Sequence, residues 1–274
     1  MEKLKERKKQ WVRRPAPKYR SIVAILDVAY HYEYPKNMET CIWGIPAKYK
    51  KFPNREIVAL TCMWLYDYTP KSLIGVKKVI SWFKNNPYSF IMNKEYNYLM
   101  MECNQNEIIY GNINIKDCYY FFEWLYNILN LYGSFRNALL LSGITQPDEA
   151  VYNQIKALNG FNEKTTKTEA KINLFLFMMV HCYNDYNYDS SSLKPPLFNS
   201  VIIPNCKSLG LLSKKEKPDK YISKVTEYLK WFSEDHPMTF WVGVAMYRDY
   251  LRKFHNISKK FSSKTPVKHR FKKR

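Results

Sequence analysis

The sequence predicts an all-α fold, and three observations carry that expectation. Apolar residues recur at i, i+3, i+4 and i+7, as in Ile22, Ile25, Leu26 and Ala29. Strand signals are confined to Glu107–Tyr110, with no Asn-Gly hairpin. Proline and asparagine fall between the periodic stretches or at their first turns, where they start or stop helices.

The elements follow in order. Lys3–Trp11 reads as a short basic helix stopped by Pro15 and Pro17, and Ser21 as the cap of Ile22–Tyr32. Asn54 is expected to cap Arg55–Tyr66, and Thr69 with Pro70 to start a helix reaching about Phe83. Asn85-Asn86-Pro87 reads as a turn before Tyr88–Met92. Asp117–Leu131 is the most aromatic helix, ended by Gly133; Ser134 opens Phe135–Leu141, which Gly143 stops. Pro147 starts a helix with Asp148 and Glu149 at its positive end. Thr168–His181 is a core helix, because Ile172 to Val180 is apolar but for Asn173, too long for a typical strand and too short to span a bilayer. This helix and the Pro-bounded return through Val201–Pro204 to Lys214 are expected to organise the chain. Tyr183–Lys194 reads as loop, and Lys220–Phe232 and Met238–Lys253 as closing helices.

Composition narrows the function classes. At 274 residues, 46% hydrophobic and 16% aromatic, the chain can build a real core, which excludes wholesale disorder. No apolar run is long enough to cross a membrane, and the charged N-terminus has no apolar stretch behind it, so a cytoplasmic protein is expected. Six dispersed cysteines without a Cys-x-x-Cys pair read as reduced thiols, not as a metal site or cluster. Eight glycines include no Walker loop and no G-x-G-x-x-G, which disfavours nucleotide hydrolysis and dinucleotide binding. No cofactor is expected.

The net charge of +20 is unevenly placed. Residues 1–20 carry a net +7 and residues 252–274 a net +10, which leaves the rest of the chain close to neutral. The chain thus divides into a basic N-terminal arm (1–20), a helical body (21–251) open to division into two lobes, and a basic tail (252–274). Cationic arms attract phosphate without regard to sequence, so nucleic acid is the expected partner, DNA ahead of RNA. On the body, Lys164, Lys167 and Lys171 lie just before or at the start of the core helix and are the candidate phosphate-facing patch, with Lys207, Lys214 and Lys215 extending it from the return segment. A solvated lysine-rich loop is the plainer alternative. The aromatics of Tyr119–Tyr126 could stack on bases, although core packing explains them more simply.

Several stretches, in order, resemble an uncharacterised bacterial family related to the helix-hairpin-helix DNA glycosylases. NPYSFIMN at Asn86–Asn93 is similar to its Ser-Pro-Tyr-x-Phe segment, and Ile113–Leu129 to the Asp-aromatic helix that follows. YGSFRNAL at Tyr132–Leu139, NLFLFMMV at Asn173–Val180, IIPNCKSLGLLSKK from Ile202 to Lys215 and DHPMTFWVGVAMY at Asp235–Tyr247 match later segments. Together they span roughly residues 55–250. The resemblance implies a glycosylase-like helical fold, a lysine that attacks the sugar C1′ and a supporting aspartate. Lys171 fits the lysine only with a one-residue slip. The Asp-x-His pair is missing, because Asn205-Cys206-Lys207 follows Pro204, and Phe161–Lys167 lacks the glycines of the hairpin. Glu169, Asp185 and Asp189 are substitute carboxylates and His181 a candidate base, each with a commoner structural role.

The expected function is therefore nucleic-acid binding by a glycosylase-like body with a degenerate active site. An active DNA glycosylase or lyase using Lys171 or a substitute carboxylate is the alternative. A non-catalytic scaffold with RNA- or partner-binding tails is the third reading.

Overall fold

The computed structural model describes residues 42–188, apart from Tyr68. They fall in one compact unit, Lys36–Ser200 with Ser233–Met238; a second unit (Met1–Pro35, Val201–Phe232 and Thr239–Arg274) lies outside the described residues. Outside them also lie the expected helices Lys3–Trp11, Ile22–Tyr32, Lys220–Phe232 and Met238–Lys253, both arms, and the return segment.

Helix α1, Asn54–Leu65, is buried at every position from Glu56 to Leu65. A helix apolar on all sides needs neighbours on all sides, and α1 is packed by α2 (Pro70–Ser81), by α3 (Pro87–Met92) and by α8 (Thr166–Leu176). Asn54 does not cap it as expected: α1 already includes Asn54, which makes no side-chain cap, and its Oδ1 instead accepts the Tyr88 N–H of α3 at 2.7 Å. Thr69 starts α2 as expected, accepting from Ser72 N; Asn86, read from sequence as part of a turn, caps α3 by accepting from Ser89 N, with Pro87 its first residue. The short helix α4, Tyr98–Met101, follows.

The strand signal yields a two-stranded antiparallel ribbon, β1 (Ile108–Tyr110) and β2 (Ile113–Asn114), turned at Gly111 with φ 59°. Ribbon and α2 meet at Gly75, where a Cβ would lie 2.9 Å from the Tyr110 Cβ. Only a glycine admits that approach, and it sets the position of Tyr110.

Asn114 and Asp117 form a reciprocal capping box at the start of α5, Ile115–Tyr132. Its inward residues Ile115, Cys118, Phe121, Phe122, Leu125, Ile128 and Leu129 repeat at three- and four-residue steps. Phe121 stacks on Trp64 of α1 with ring centroids 4.3 Å apart, and Phe122 meets Phe83, Phe90 and Tyr96 edge-on or tilted. Most of the aromatic density is thus core, each such pair adding about 0.5–1.5 kcal/mol beyond area burial. Gly133, left-handed at φ 74°, ends α5, and Ser134 caps α6, Phe135–Leu141. Helix α7, Pro147–Ile155, packs against α8.

Thr165 caps α8, which starts two residues earlier than the sequence suggested, and the helix passes at Phe177 into a π-helical turn, Phe177–Cys182. Every residue from Ala170 to Val180 is buried. The expected core helix is there, sharing the centre with α1. Tyr183–Tyr188 is loop, as expected. The fold is all-α. Among the described residues no helix is long and apolar enough to cross a membrane, and no three His, Cys, Asp or Glu are grouped to hold a metal.

Candidate functional site

Where α8 crosses the end of α1, an amine has entered the core. Lys171 is 7% exposed, and its Nζ donates to the Trp64 carbonyl at 2.5 Å. That carbonyl is one of those a helix leaves unpaired at its C-terminus, where the helix dipole presents its negative end to a cation. The Phe161 ring lies 5.3 Å from the same nitrogen. Burial, joined by the like charge of Lys167, pulls the amine down to about 7, while Asp67 opposes the shift. An ordinary lysine is protonated at neutral pH and cannot attack; burial moves this one toward the neutral form that can.

Asp67 follows α1 by two residues and lies at the head of α2. Its carboxylate accepts from the Thr69 hydroxyl at 2.8 Å, from the Thr69 N–H at 3.2 Å and from the Tyr110 hydroxyl. The Thr69 and Tyr110 hydroxyls lie 3.0 Å apart. Burial would raise this carboxyl, but hydrogen bonds involving Tyr110, Thr69 and Ser72 and the charge of Lys167 hold it below its ordinary value. Lys167 Nζ stands 4.0 Å from Asp67 Oδ2. The arrangement brings a buried amine, a carboxylate fixed in its ionised form and a surface cation to one place.

A second buried ionisable group lies on α1. Glu56 is fully buried, and its carboxylate accepts from Phe135 N at 2.9 Å, from Arg136 N at 2.8 Å and from the Tyr186 hydroxyl at 2.5 Å. Burial raises it to about 7 against those three donors, which favour its charged form. It closes the first turn of α6 and ties down the chain beyond the π-turn, so its work is structural.

Of the residues singled out from sequence, Lys167 and Lys171 come together around Asp67. Lys164 lies apart, 3.5 Å from Glu149 and facing the Tyr152 ring at 5.6 Å. Lys171 lies in the core, not on a phosphate-facing surface. Asp185 is bound to Arg55 at 3.0 Å, and Glu169 is half-buried on α8. Lys207, Lys214, Lys215 and Asp189 lie outside the described residues.

Sequence reading missed Asp67 and Tyr110. Asp67-x-Thr69-Pro70 reads as a turn before a helix, and nothing local says that its carboxylate faces a lysine a hundred residues later. Gly75 was the available signal for Tyr110, since a glycine inside a helix marks a close approach.

No curated protein and no solved structure matches the chain. A family model described as a protein of unknown function (DUF2400) matches residues 43–242, most of the chain and nearly all of the described unit. The chain therefore belongs to the DUF2400 family.

Proposed function

We propose that this protein binds nucleic acid, DNA ahead of RNA, with a glycosylase-like helical body whose active site is degenerate. The observation that carries this reading is the placement of charge, with a net +7 in residues 1–20 and +10 in residues 252–274 around a body close to neutral. Lysine and arginine release counterions from phosphate, and binding of that kind is steeply salt-dependent. Lys167 adds an exposed cation on the first turn of α8. The Asp-x-His pair expected after Pro204 has no counterpart in the sequence. Fluorescence anisotropy with a 20-base-pair duplex tests the reading. Affinity is expected to fall by about a thousandfold between 50 and 200 mM salt, as neutralisation of roughly six phosphates requires. A chain that binds no duplex at 50 mM salt would end it.

The Lys171 amine favours a second reading, a lyase acting on abasic sites. The neutral amine would leave the Trp64 carbonyl and add to the C1′ aldehyde of the opened sugar. Loss of water then gives an imine, and abstraction of a C2′ proton expels the 3′ phosphate by β-elimination. Asp67, held ionised, would stabilise the cationic imine. Borohydride reduces the imine to a stable amine, so the native chain is expected to form a covalent adduct with an abasic duplex and Lys171→Ala none. A native chain that forms no adduct excludes this chemistry.

A further inference from the structure

The outer side of α5 borders a groove of about 450 Å³, within the size range of ligand pockets. Four aromatics line it: Trp64 and Phe121, which are buried and stacked on each other, Trp124, half-buried and fixed by its Nε1 donating to the Gln154 carbonyl at 3.2 Å, and Tyr120, which is 53% exposed. Aromatic residues on a helix this rich in them are mostly needed by the core, and Tyr120 is not. Its hydroxyl has no partner among the described residues.

The polar lining is divided between committed and uncommitted groups. Asp117 is taken up by Asn114 N at 2.9 Å and by the Asn159 amide at 3.0 Å. Glu123 receives the Tyr96 hydroxyl at 2.8 Å and Lys94 and Tyr119 at 3.4 Å, all on Oε1. Its Oε2 takes none of these, and no hydrogen bond fixes the Asn127 amide among the described residues. The groove therefore offers a carboxylate oxygen that can only accept and an amide that can donate and accept, beside an exposed ring. No lysine or arginine lines it, so a phosphate is not what it holds. Lys116 and Lys156 are exposed neighbours in sequence of the lining residues Asp117 and Ala157; the Lys116 amine lies 5.9 Å from the centre of the Tyr120 ring, over one of its faces, and Lys156 donates to Asn153 Oδ1 at 3.3 Å.

We propose that this groove seats one base of a single-stranded nucleic acid and selects bases that carry an exocyclic amine. The inference rests on the nucleic-acid reading above and adds a site and a preference to it. The base stacks on Tyr120, its amine donates to Glu123 Oε2, and the Asn127 amide meets the neighbouring ring atom. Cytosine, adenine and guanine present such an amine; thymine presents a carbonyl oxygen there, which a carboxylate repels.

Ten-residue oligo-dC and oligo-dT separate this slot from the arms, because the two differ at that edge while the arms meet the same phosphates. Anisotropy titrations of the full chain at 50 mM salt and pH 7.5 are expected to show oligo-dC bound about tenfold more tightly, the value of one hydrogen bond to a charged acceptor. Glu123→Gln, whose amide turns to offer either a donor or an acceptor, is expected to bring the two within about twofold. Tyr120→Ala, at an exposed position that does not threaten the fold, is expected to weaken both by about tenfold through lost stacking. Equal native affinities, a preference that survives Glu123→Gln, or a Tyr120→Ala chain that binds both like the native one overturns the slot. If both oligonucleotides bind equally and neither variant matters, binding belongs to the arms and the slot alone is lost. If neither binds at all, the nucleic-acid reading falls and takes the slot with it.

Discussion

Glu56→Ala is expected to cost the protein about 3–5 kcal/mol of unfolding free energy, enough to leave much of a marginally stable domain unfolded at 37 °C. The carboxylate serves three donors: the Phe135 N–H and the Tyr186 hydroxyl, both buried, and the part-buried Arg136 N–H at the head of α6. Truncation removes the acceptor of all three and leaves a cavity beside α1, whose residues from Glu56 to Leu65 are all buried. Each orphaned buried donor costs about 1–3 kcal/mol. The loss joins elements far apart in sequence, since α1, α6 and the chain after the π-turn meet at this one side chain. Tyr186→Phe removes a single donor and leaves the two backbone donors paired, so its cost is expected to stay near 1 kcal/mol. Urea unfolding at constant pH measures both. A Glu56→Ala midpoint shifted by less than Tyr186→Phe shifts it would show that the carboxylate does not hold this junction.

The sequence made some of this visible and hid the rest for a physical reason. The helix starts at Thr69 and Ser134 are local: a short polar side chain meets an N–H three residues on, and the pattern is complete within one turn. The burial of Ile172–Val180 was equally legible, because an apolar run without a polar face has nowhere else to go. Glu56 shows where that legibility stops. An acid in the first turn of a helix reads as a match to the helix dipole, and here it is one, but to the dipole of α6 instead of its own helix. The partners of Lys171 were hidden in the same way. Its acceptor is a backbone carbonyl of α1, and a main-chain acceptor leaves no mark on residue identity. The fold class came from periodicity within segments; the candidate site came from contacts between them.

Two buried groups of opposite kind give the protein an unusual dependence of stability on pH. The Glu56 carboxyl is raised by burial from an ordinary 4.5 to about 7, so folding favours its protonated form. Its contribution is complete below about pH 4.5 and is lost as pH rises through 7. The Lys171 amine is lowered by burial from 10.5 to about 7, so folding favours its neutral form. Its contribution is complete above about pH 10.5 and is lost as pH falls through 7. Both losses meet near neutrality. At about 1.36 kcal/mol per pH unit, stability is expected to fall by about 2 kcal/mol from pH 5 to 7 and to recover by about 1 kcal/mol from pH 7 to 9. Over that second interval the buried Cys62 and Cys118 thiols, raised above their ordinary value, offset part of the gain as they begin to ionise in the unfolded chain. Most proteins are at their most stable within that interval. The window avoids Asp67, whose lowered carboxyl destabilises the fold only in stronger acid, and the buried hydroxyls of Tyr96, Tyr183 and Tyr186, whose raised values act above pH 10. Urea midpoints across pH 5–9 test the profile. Glu56→Gln is expected to flatten the acid limb and Lys171→Met the alkaline limb, each leaving the other in place. A Lys171→Met profile parallel to the native one from pH 7 to 9 would mean that the amine is solvated and charged at neutral pH, and the neutral nucleophile of the lyase reading would be lost with it.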